Sequence, residues 1–551
     1  MKMYNERLCG KTICKVFFMG GSDMVKRYGK RIRIIGIVGL ALFLALIGRL
    51  YYIQILCGQE LAAGALGQQI IKVQSVNNRG TIYDRNMLPL TDSGCSYYYL
   101  VAEERCDAGF TLLMRKVQAE VAGSKGEGYT VYKTAVYDEE VNETLLTRYG
   151  AYGFCLGSRY EDTQTAAHLI GYLSGEDRTG AAGLEKMFQY RLSASSAKLL
   201  MVGNGIGAPV PGIGVSQSQD CTVIDPAAVV TTVDSSLQKK IEEILKEKEI
   251  SGAVVVMKPG SGQILAMAST PGFNPNQVEN YLNSGQGELV NKAVQGVYPP
   301  GSVFKIVVAA AALESGAADL TETYNCTGKT EVNGVTLICD DHPSGHGEVD
   351  FEEAFALSCN GFFAHLAEKT GSETIVEMAQ RMGLGKTVIS GFPDEESGTF
   401  PEESERRDRG LSNFAIGQGS LLVTPVQIAK MTNIIASGGV DYQATLVMSI
   451  EGQSPEGTRV MTEVTAKEIA HMMEAVCEKG TASSASLHRK SAGKTGSAEA
   501  GSDESYTVHG WFTGYFPAEN PEYTVTIIAE NGKTGSRSAL PVFEEIVNFL
   551  Y

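Results

Sequence analysis

The chain has 551 residues and a formal net charge of -16, an acidic balance that argues against a nucleic-acid partner. Hydrophobic content of 43% and charged content of 20% are those of folded protein and exclude a largely disordered chain; the length allows two or three domains with full cores. The 11 cysteines are mostly scattered without ligand-like spacing, and their number does not by itself define a redox compartment.

Lys26, Arg27, Lys30, Arg31 and Arg33 precede an uncharged run from Ile34 to Gly48, and apolar character resumes after Arg49 as far as Leu56. As helix, 34–56 is long enough for a bilayer crossing, which takes about 20 residues. With the basic cluster on one side and Gln59 and Glu60 on the other, 1–33 is expected to be a cytoplasmic tail, 34–56 a single-pass anchor, and all that follows extracytoplasmic. A cleaved signal peptide is disfavoured, because the small-residue site Ala63-Gly64-Ala65 lies beyond the uncharged run and behind Glu60. Cys57 follows Leu56 rather than a small residue, which speaks against lipidation, and Met24 is as good a start as Met1.

Residues 57–225 read as a β-rich domain with a linker. Arg79-Gly80-Thr81-Ile82-Tyr83-Asp84-Arg85-Asn86 is a strand entering a polar turn, and Tyr97-Tyr98-Tyr99-Leu100-Val101 is a β-rich run. His168 stands alone and reads as structural. Gly203-Asn204-Gly205-Ile206-Gly207 neither follows a clear strand nor opens a helix, so it reads as a surface loop rather than a phosphate cradle, and 209–225 reads as a linker.

In 226–551 a helix over about 236–248 precedes a hairpin of Ala253–Met257 and Gln263–Ala268 around Pro259-Gly260-Ser261-Gly262. Pro299-Pro300-Gly301 reads as a turn and the apolar run Ile306–Leu313 beyond it as a buried helix of roughly three turns, so Ser302 is expected at a helix N-terminus with Lys305 one turn on. The i, i+3 spacing puts the Lys305 amine within reach of the Ser302 hydroxyl, and the helix dipole and apolar neighbours disfavour an ammonium at Lys305. Lys305 is thus a candidate base, Ser302 a candidate nucleophile, and the free N–H groups of the first turn candidate donors to a substrate oxyanion. Alone, S-x-x-K is a weak signal. Ser358-Cys359-Asn360 interrupts a helical stretch from Phe351 with a second hydroxyl and an amide suited to a proton relay and a substrate anchor. Ser491–Glu499 surrounds Lys494 with small residues; Gly496 leaves room for another backbone, so an extended peptide is expected along this strand, its carboxylate held by Lys494 and Thr495. Nucleotide binding at Gly493-Lys494-Thr495 is disfavoured, since His488 stands where a Walker loop needs glycine. The second triplet, Lys533-Thr534-Gly535, reads as a turn, whereas the first precedes the run Trp511–Tyr515 as a central strand would.

S-x-x-K, S-x-N and K-T-G in this order are the signature of the penicillin-recognising serine enzymes. Almost end to end the chain resembles class B penicillin-binding proteins, through the anchor, Arg79–Asn86, Gly183-Leu184-Glu185, Tyr298-Pro299-Pro300-Gly301-Ser302, Gly417-Gln418-Gly419 and Thr424-Pro425. The resemblance implies an α/β (α+β) protein in which a β-rich pedestal over 57–225 precedes a transpeptidase domain over 226–551, an antiparallel sheet flanked by helices. It also implies a peptidoglycan D,D-transpeptidase that needs no cofactor and binds β-lactams covalently. Ser302 would form the acyl-enzyme, Lys305 take its proton, Ser358 bridge Lys305 and Lys494, and Asn360 hold the peptide amide. Thr495 and Gly496 would flank the substrate, and the N–H groups of Ser302 and Ser497 would form the oxyanion hole. The implied partners are stem peptides, β-lactams and a polytopic glycan polymerase in the membrane. A β-lactamase or D,D-carboxypeptidase shares the motifs but transfers to water; Glu395, Glu396 and Glu402 lie in surroundings that read as a solvated loop. A non-catalytic β-lactam sensor would need a signalling domain.

Cys326, Cys339, His342 and His346 approach zinc-site spacing, yet a Cys326–Cys339 disulfide or free thiols is the favoured reading, and no metal ligand is assigned. His346-Gly347 also matches a pair that the family carries before S-x-N.

Overall fold

The computed structural model describes residues 31, 34–53, 70–73, 79–122, 129–134, 136–175, 178–193, 199–202, 216–217, 227–332, 334–339, 344–448, 455–500 and 507–551. The loop 203–207, His342, the end of the anchor at Leu56, and all of the linker 209–225 except 216–217 lie outside them.

Residues 34–51 form one helix with a mean hydropathy of 2.3 and no buried surface, long and apolar enough to cross a membrane. Beyond it, Ala119–Val121, Tyr129–Thr134, Gly94–Ala102 and Tyr152–Ser158 pair in that order as an antiparallel sheet. Helices Ala108–Lys116 and Glu139–Tyr149 are capped by Asp107 and Asp138, whose side chains accept from the N–H groups of Phe110 and Val141. They share a core with the sheet built on Phe110, Val141, Leu145 and Tyr99.

The Arg79–Asn86 segment joins this unit to the rest. Ile82–Tyr83 pairs in parallel with Val229–Val230. Asp84 accepts from the N–H groups of Asn86 and Leu88 at 2.8 Å each, and from Ser235 Oγ at 2.7 Å. It thereby closes its own turn and ties that turn to the helix Ser235–Glu247. Glu185 is fully buried between Arg79 at 2.5 Å and Arg159 at 2.7 Å, and accepts from Tyr160 at 2.9 Å. Paired in this way, the buried charges are tolerated. His168 is structural, buried with Nε2 2.7 Å from the Glu288 carbonyl, and burial holds its pKa down to about 4.

The second half is built on a five-stranded antiparallel sheet in the order Ile264–Thr270, Gly252–Met257, Tyr523–Gly532, Thr507–Phe516, Ala492–Ala500. Successive side chains on a strand point to opposite faces, and here both faces are covered. Phe512 packs on Phe543 of the last helix, Leu540–Leu550, while Thr513 bonds Thr432 of Pro425–Ala436. Thr424 and Pro425 begin that helix with a capping box. The strand carrying Lys494 lies at the edge, not centrally as its sequence context predicted. The early hairpin pairs with the last strand of the chain, which leaves the outer place to 492–500.

Candidate active site

Ser302 lies in the 3-10 turn Gly301–Phe304, which runs directly into the helix Lys305–Ser315. In a 3-10 turn residues i and i+3 eclipse, so the Ser302 and Lys305 side chains leave the helix on one face. Two contacts fix the turn: the Gly301 N–H donates to the Gly417 carbonyl at 2.8 Å, and Trp511 Nε1 donates to the Pro299 carbonyl at 3.0 Å. Gly301 has φ +57, and a Cβ there would stand 2.6 Å from the Ser497 carbonyl. The serine turn therefore rests directly on the Lys494 strand.

Ser358 sits at the break between Phe351–Ala356 and Asn360–Thr370 with φ 55, a left-handed backbone uncommon outside glycine. That bend aims its hydroxyl between two lysines, with Lys305 Nζ at 3.2 Å and Lys494 Nζ at 2.9 Å from Ser358 Oγ. Lys305 also donates to the Ser358 carbonyl and to Asn360 Oδ1, each at 2.7 Å, and Asn360 Nδ2 donates to the Ile338 carbonyl at 2.8 Å. Both amines are fully buried beside rings, Lys305 5.5 Å from the Phe363 centroid and Lys494 5.9 Å from that of Phe355. Burial, and then the charge of Lys305, holds the Lys494 amine well below the usual lysine range.

Ser302, Ser358, Asn360, Thr495, Gly496 and Ser497 all line one cleft of about 920 Å³. Lys494 stands behind that wall. The expectation that it grips a carboxylate directly is corrected by its burial and by its bonds to Ser358 Oγ and, at 3.1 Å, to the Thr495 carbonyl. At the cleft surface stand Thr495 and Thr481, their hydroxyls 2.6 Å apart. Gly496 also differs from expectation. The backbone it admits is the chain's own, since a Cβ there would lie 3.1 Å from the Pro300 carbonyl and from Val303.

Sequence reasoning missed Thr481, His509 and Ser536 and gave no role to Gln418, Glu499 and Thr534, all of which also line the cleft. The repeated triplet was the available signal for Thr534. Lys533-Thr534-Gly535 does turn out of a strand, but it folds back on the first triplet: a Cβ on Gly535 would stand 2.2 Å from the Trp511 carbonyl and 2.4 Å from that of Gly496. Glu395, Glu396 and Glu402 are not among the lining residues. Glu395 is not simply solvated either: it accepts from the N–H groups of Val388 at 2.6 Å and Ile389 at 3.0 Å, and burial raises its pKa. Cys326 and Cys339 are free, with sulfurs 3.6 Å apart.

A serine and two buried lysines bridged by a second serine, beneath the edge strand of an antiparallel sheet, define the penicillin-recognising class of serine proteins. The penicillin binding protein transpeptidase domain matches residues 252–548, more than half of the chain, and the chain belongs to this family as a class B penicillin-binding protein. Penicillin-binding protein PbpB of Mycolicibacterium smegmatis is 29% identical over 428 aligned positions, covering 71% of this chain and 64% of that protein. Peptidoglycan D,D-transpeptidase MrdA of Acinetobacter baumannii is 26% identical over 593 aligned positions, covering 93% of this chain and 87% of that protein. Among solved structures, the penicillin-binding protein PBP2 of Helicobacter pylori in complex with MreC matches with a TM-score of 0.67 at 21% identity. That match covers 88% of this chain and 98% of the other, and it carries the fold.

Proposed function

We propose that the chain is a membrane-anchored peptidoglycan D,D-transpeptidase that works through an acyl-enzyme on Ser302. The observation that carries this reading is the hydrogen-bonded series Lys305–Ser358–Lys494 beside Ser302 at the wall of the cleft. Ser302 Oγ bonds to the carbonyl carbon of the penultimate D-alanine while Lys305 accepts its proton. The peptide C–N bond breaks, and Ser358 passes a proton to the departing D-alanine amine. An amine of a neighbouring strand then attacks the ester, Oγ leaves, and the cross-link is complete. The N–H groups of Ser302 and Ser497 hold the oxyanion, a device worth about 10²–10³ in rate per donor. Asn360 positions the donor amide, and Thr495 with Thr481 faces its carboxylate.

The helix 34–51 supports a topology in which 1–33 is cytoplasmic, 34–56 spans the membrane, 57–225 is a pedestal and 226–551 carries catalysis outside. A polytopic glycan polymerase is the membrane partner this arrangement fits. A β-lactam offers a strained amide at the position of the scissile bond, so Ser302 opens it and keeps the product as an ester. A fluorescent penicillin added to the full-length protein in detergent tests this. A stable covalent adduct is expected, absent in Ser302→Ala and retained in Lys533→Ala. Turnover of the antibiotic at many molecules per second would replace the transpeptidase reading with a β-lactamase, and labelling of Ser302→Ala would refute the nucleophile.

A further inference from the structure

The strand Tyr523–Gly532 carries a bulge near its end. Gly510 pairs with Ala529 and Val508 with Gly532, so Glu530 and Asn531 together oppose the single residue His509. Asn531 takes up the extra length with φ 52, and its N–H donates to His509 Nδ1 at 3.3 Å. An insertion of this kind bends a strand and re-aims a side chain. Here the Glu530 carboxylate reaches the segment 291–298, which leads to Ser302. One of its oxygens accepts from Tyr298 Oη at 2.7 Å; the other accepts from Lys292 Nζ and, at 2.7 Å, from Ser251 Oγ. Lys292 is buried, and its amine also donates to Ser251 Oγ at 2.7 Å. Burial by itself would raise the Glu530 carboxyl, but the bonds from Lys292, Ser251 and Tyr298 outweigh it and hold the group below the usual glutamate range. Tyr298 therefore donates to a charged acceptor. A buried ion pair adds little to stability, since desolvating two charges costs about what their attraction returns; what this one supplies is a fixed place for one hydroxyl.

Tyr298 is the residue before Pro299-Pro300-Gly301-Ser302. Its backbone exchanges two 2.9 Å bonds with Val423, and its ring lies edge-on to Trp511 at 6.0 Å and to His509 at 5.4 Å between centroids. A Cβ on Gly296 would stand 2.5 Å from Tyr298 Oη, so the chain closes tightly over the ring. Trp511 in turn holds the Pro299 carbonyl, and His509 lines the cleft. We propose that Glu530 is a positioning residue for acylation: through the Tyr298 hydroxyl it fixes the ring against which Trp511 and the Pro299 carbonyl set the Ser302 turn. Neither Glu530 nor Tyr298 is among the residues lining the cleft, so both act through the turn. The inference rests on Ser302 as the nucleophile.

The test uses full-length protein in detergent and two variants. Tyr298→Phe removes one oxygen and leaves the ion pair intact, whereas Glu530→Gln leaves the Lys292 ammonium without its counter-charge and should melt lower. At saturating benzylpenicillin the acylation rate constant of Tyr298→Phe should fall about 10–100-fold, the scale of a displacement of about 1 Å at a reacting atom. The dissociation constant of the initial complex should stay at the wild-type value, because Asn360 and Thr495 are untouched. Adding Tyr298→Phe to Glu530→Gln should slow acylation no further than Glu530→Gln alone, whereas two independent structural losses would multiply. Trp511 is the chain's one tryptophan, so its fluorescence reports the same contact, and in Tyr298→Phe its emission should shift with no antibiotic present. Wild-type rate and wild-type emission in Tyr298→Phe would overturn the proposal, as would multiplied losses in the double variant or a slowing that lies wholly in the dissociation constant. Should Glu530→Gln fail to fold, Tyr298→Phe decides through its rate and emission. A wild-type protein that is not acylated would instead overturn Ser302 as nucleophile, and the emission of Tyr298→Phe would still test the contact.

Discussion

The chain carries the triplet Lys-Thr-Gly twice, and the two copies touch. Lys494-Thr495-Gly496 lies inside the edge strand of the sheet, with its lysine fully buried against Ser358. Lys533-Thr534-Gly535 follows the strand Tyr523–Gly532 at the start of a short helical turn, and its lysine is exposed. Three identical residues thus have opposite fates because one copy is held by strand pairing under a helical layer and the other caps a turn. The chemistry of the lysine comes from that burial, which strips water from the amine and places it 2.9 Å from a hydroxyl.

The largest expected consequence separates the two lysines. Lys494→Ala removes one of the two amines on Ser358 and should slow acylation by penicillin about 10²–10⁴-fold, the usual range for a proton-handling group. Lys533→Ala should acylate at the wild-type rate. Stopped-flow or gel-based labelling at several times measures both, and equal rates in the two variants would remove Lys494 from the mechanism.

The glycines reverse that order. Gly535 is the more crowded: a Cβ would meet backbone oxygens at 2.2 and 2.4 Å, whereas at Gly496 the nearest atoms are 3.1 Å away. Backbone cannot rotate aside, so Gly535→Ala should destabilise the fold by about 1–3 kcal/mol, as overpacking does, and Gly496→Ala by less. Because Gly496 abuts Pro300 and Val303, its alanine should instead move the Ser302 turn and show mainly in the acylation rate. Thermal melts beside labelling rates separate the two effects.

Much of this site was legible in the sequence because each motif residue is placed by local structure. Prolines and Gly301 stop one segment, an apolar run starts the helix, and Ser302 and Lys305 follow at helical spacing. A polar triplet between two helices located Ser358 and Asn360 in the same way. What escaped was set by tertiary contact. Thr481 matters through a partner 14 residues away, and Thr534 through the folding of a terminal turn over the Lys494 strand. The edge position of that strand follows from pairing between residues 252–257 and 524–529, a separation that no periodicity encodes.

Burial of Lys494 also gives stability a pH dependence. The folded protein holds this proton less tightly than the unfolded chain, where the lysine has its ordinary value of 10.5. Between the lowered folded value and 10.5 the unfolded state binds the extra proton, so stability rises with pH across that window. The contribution is complete above 10.5 and is lost as pH falls through the folded value. Lys494→Met should abolish this part of the slope and Lys533→Met should leave it, as read from melting temperatures over a pH series. An unchanged slope in Lys494→Met would mean that the amine is not protonated less readily in the fold.

The smallest expected effect concerns the threonines. Thr495 Oγ1 is 2.6 Å from Thr481 Oγ1 at the cleft, while Thr534 Oγ1 lies 3.1 Å from Ser536 Oγ, also at the cleft. With Lys494 turned away, a substrate carboxylate has hydroxyls rather than an ammonium as its direct partners. Thr495→Val keeps the shape of the side chain and removes one hydroxyl, leaving that of Thr481 without its partner. At about 1.5 kcal/mol, the low end for a hydrogen bond to a charged group, the second-order acylation constant should fall roughly ten-fold. Thr534→Val should change it less than two-fold, about 0.4 kcal/mol, if the first triplet alone faces the carboxylate. The comparison becomes decisive when each variant is acylated both by a penicillin and by its carboxylate ester. Against the ester, the Thr495→Val penalty should disappear, because there is no longer an anion to hold. A penalty that persists with the ester would assign Thr495 to the shape of the strand, and a larger penalty in Thr534→Val would move the carboxylate site to the second triplet.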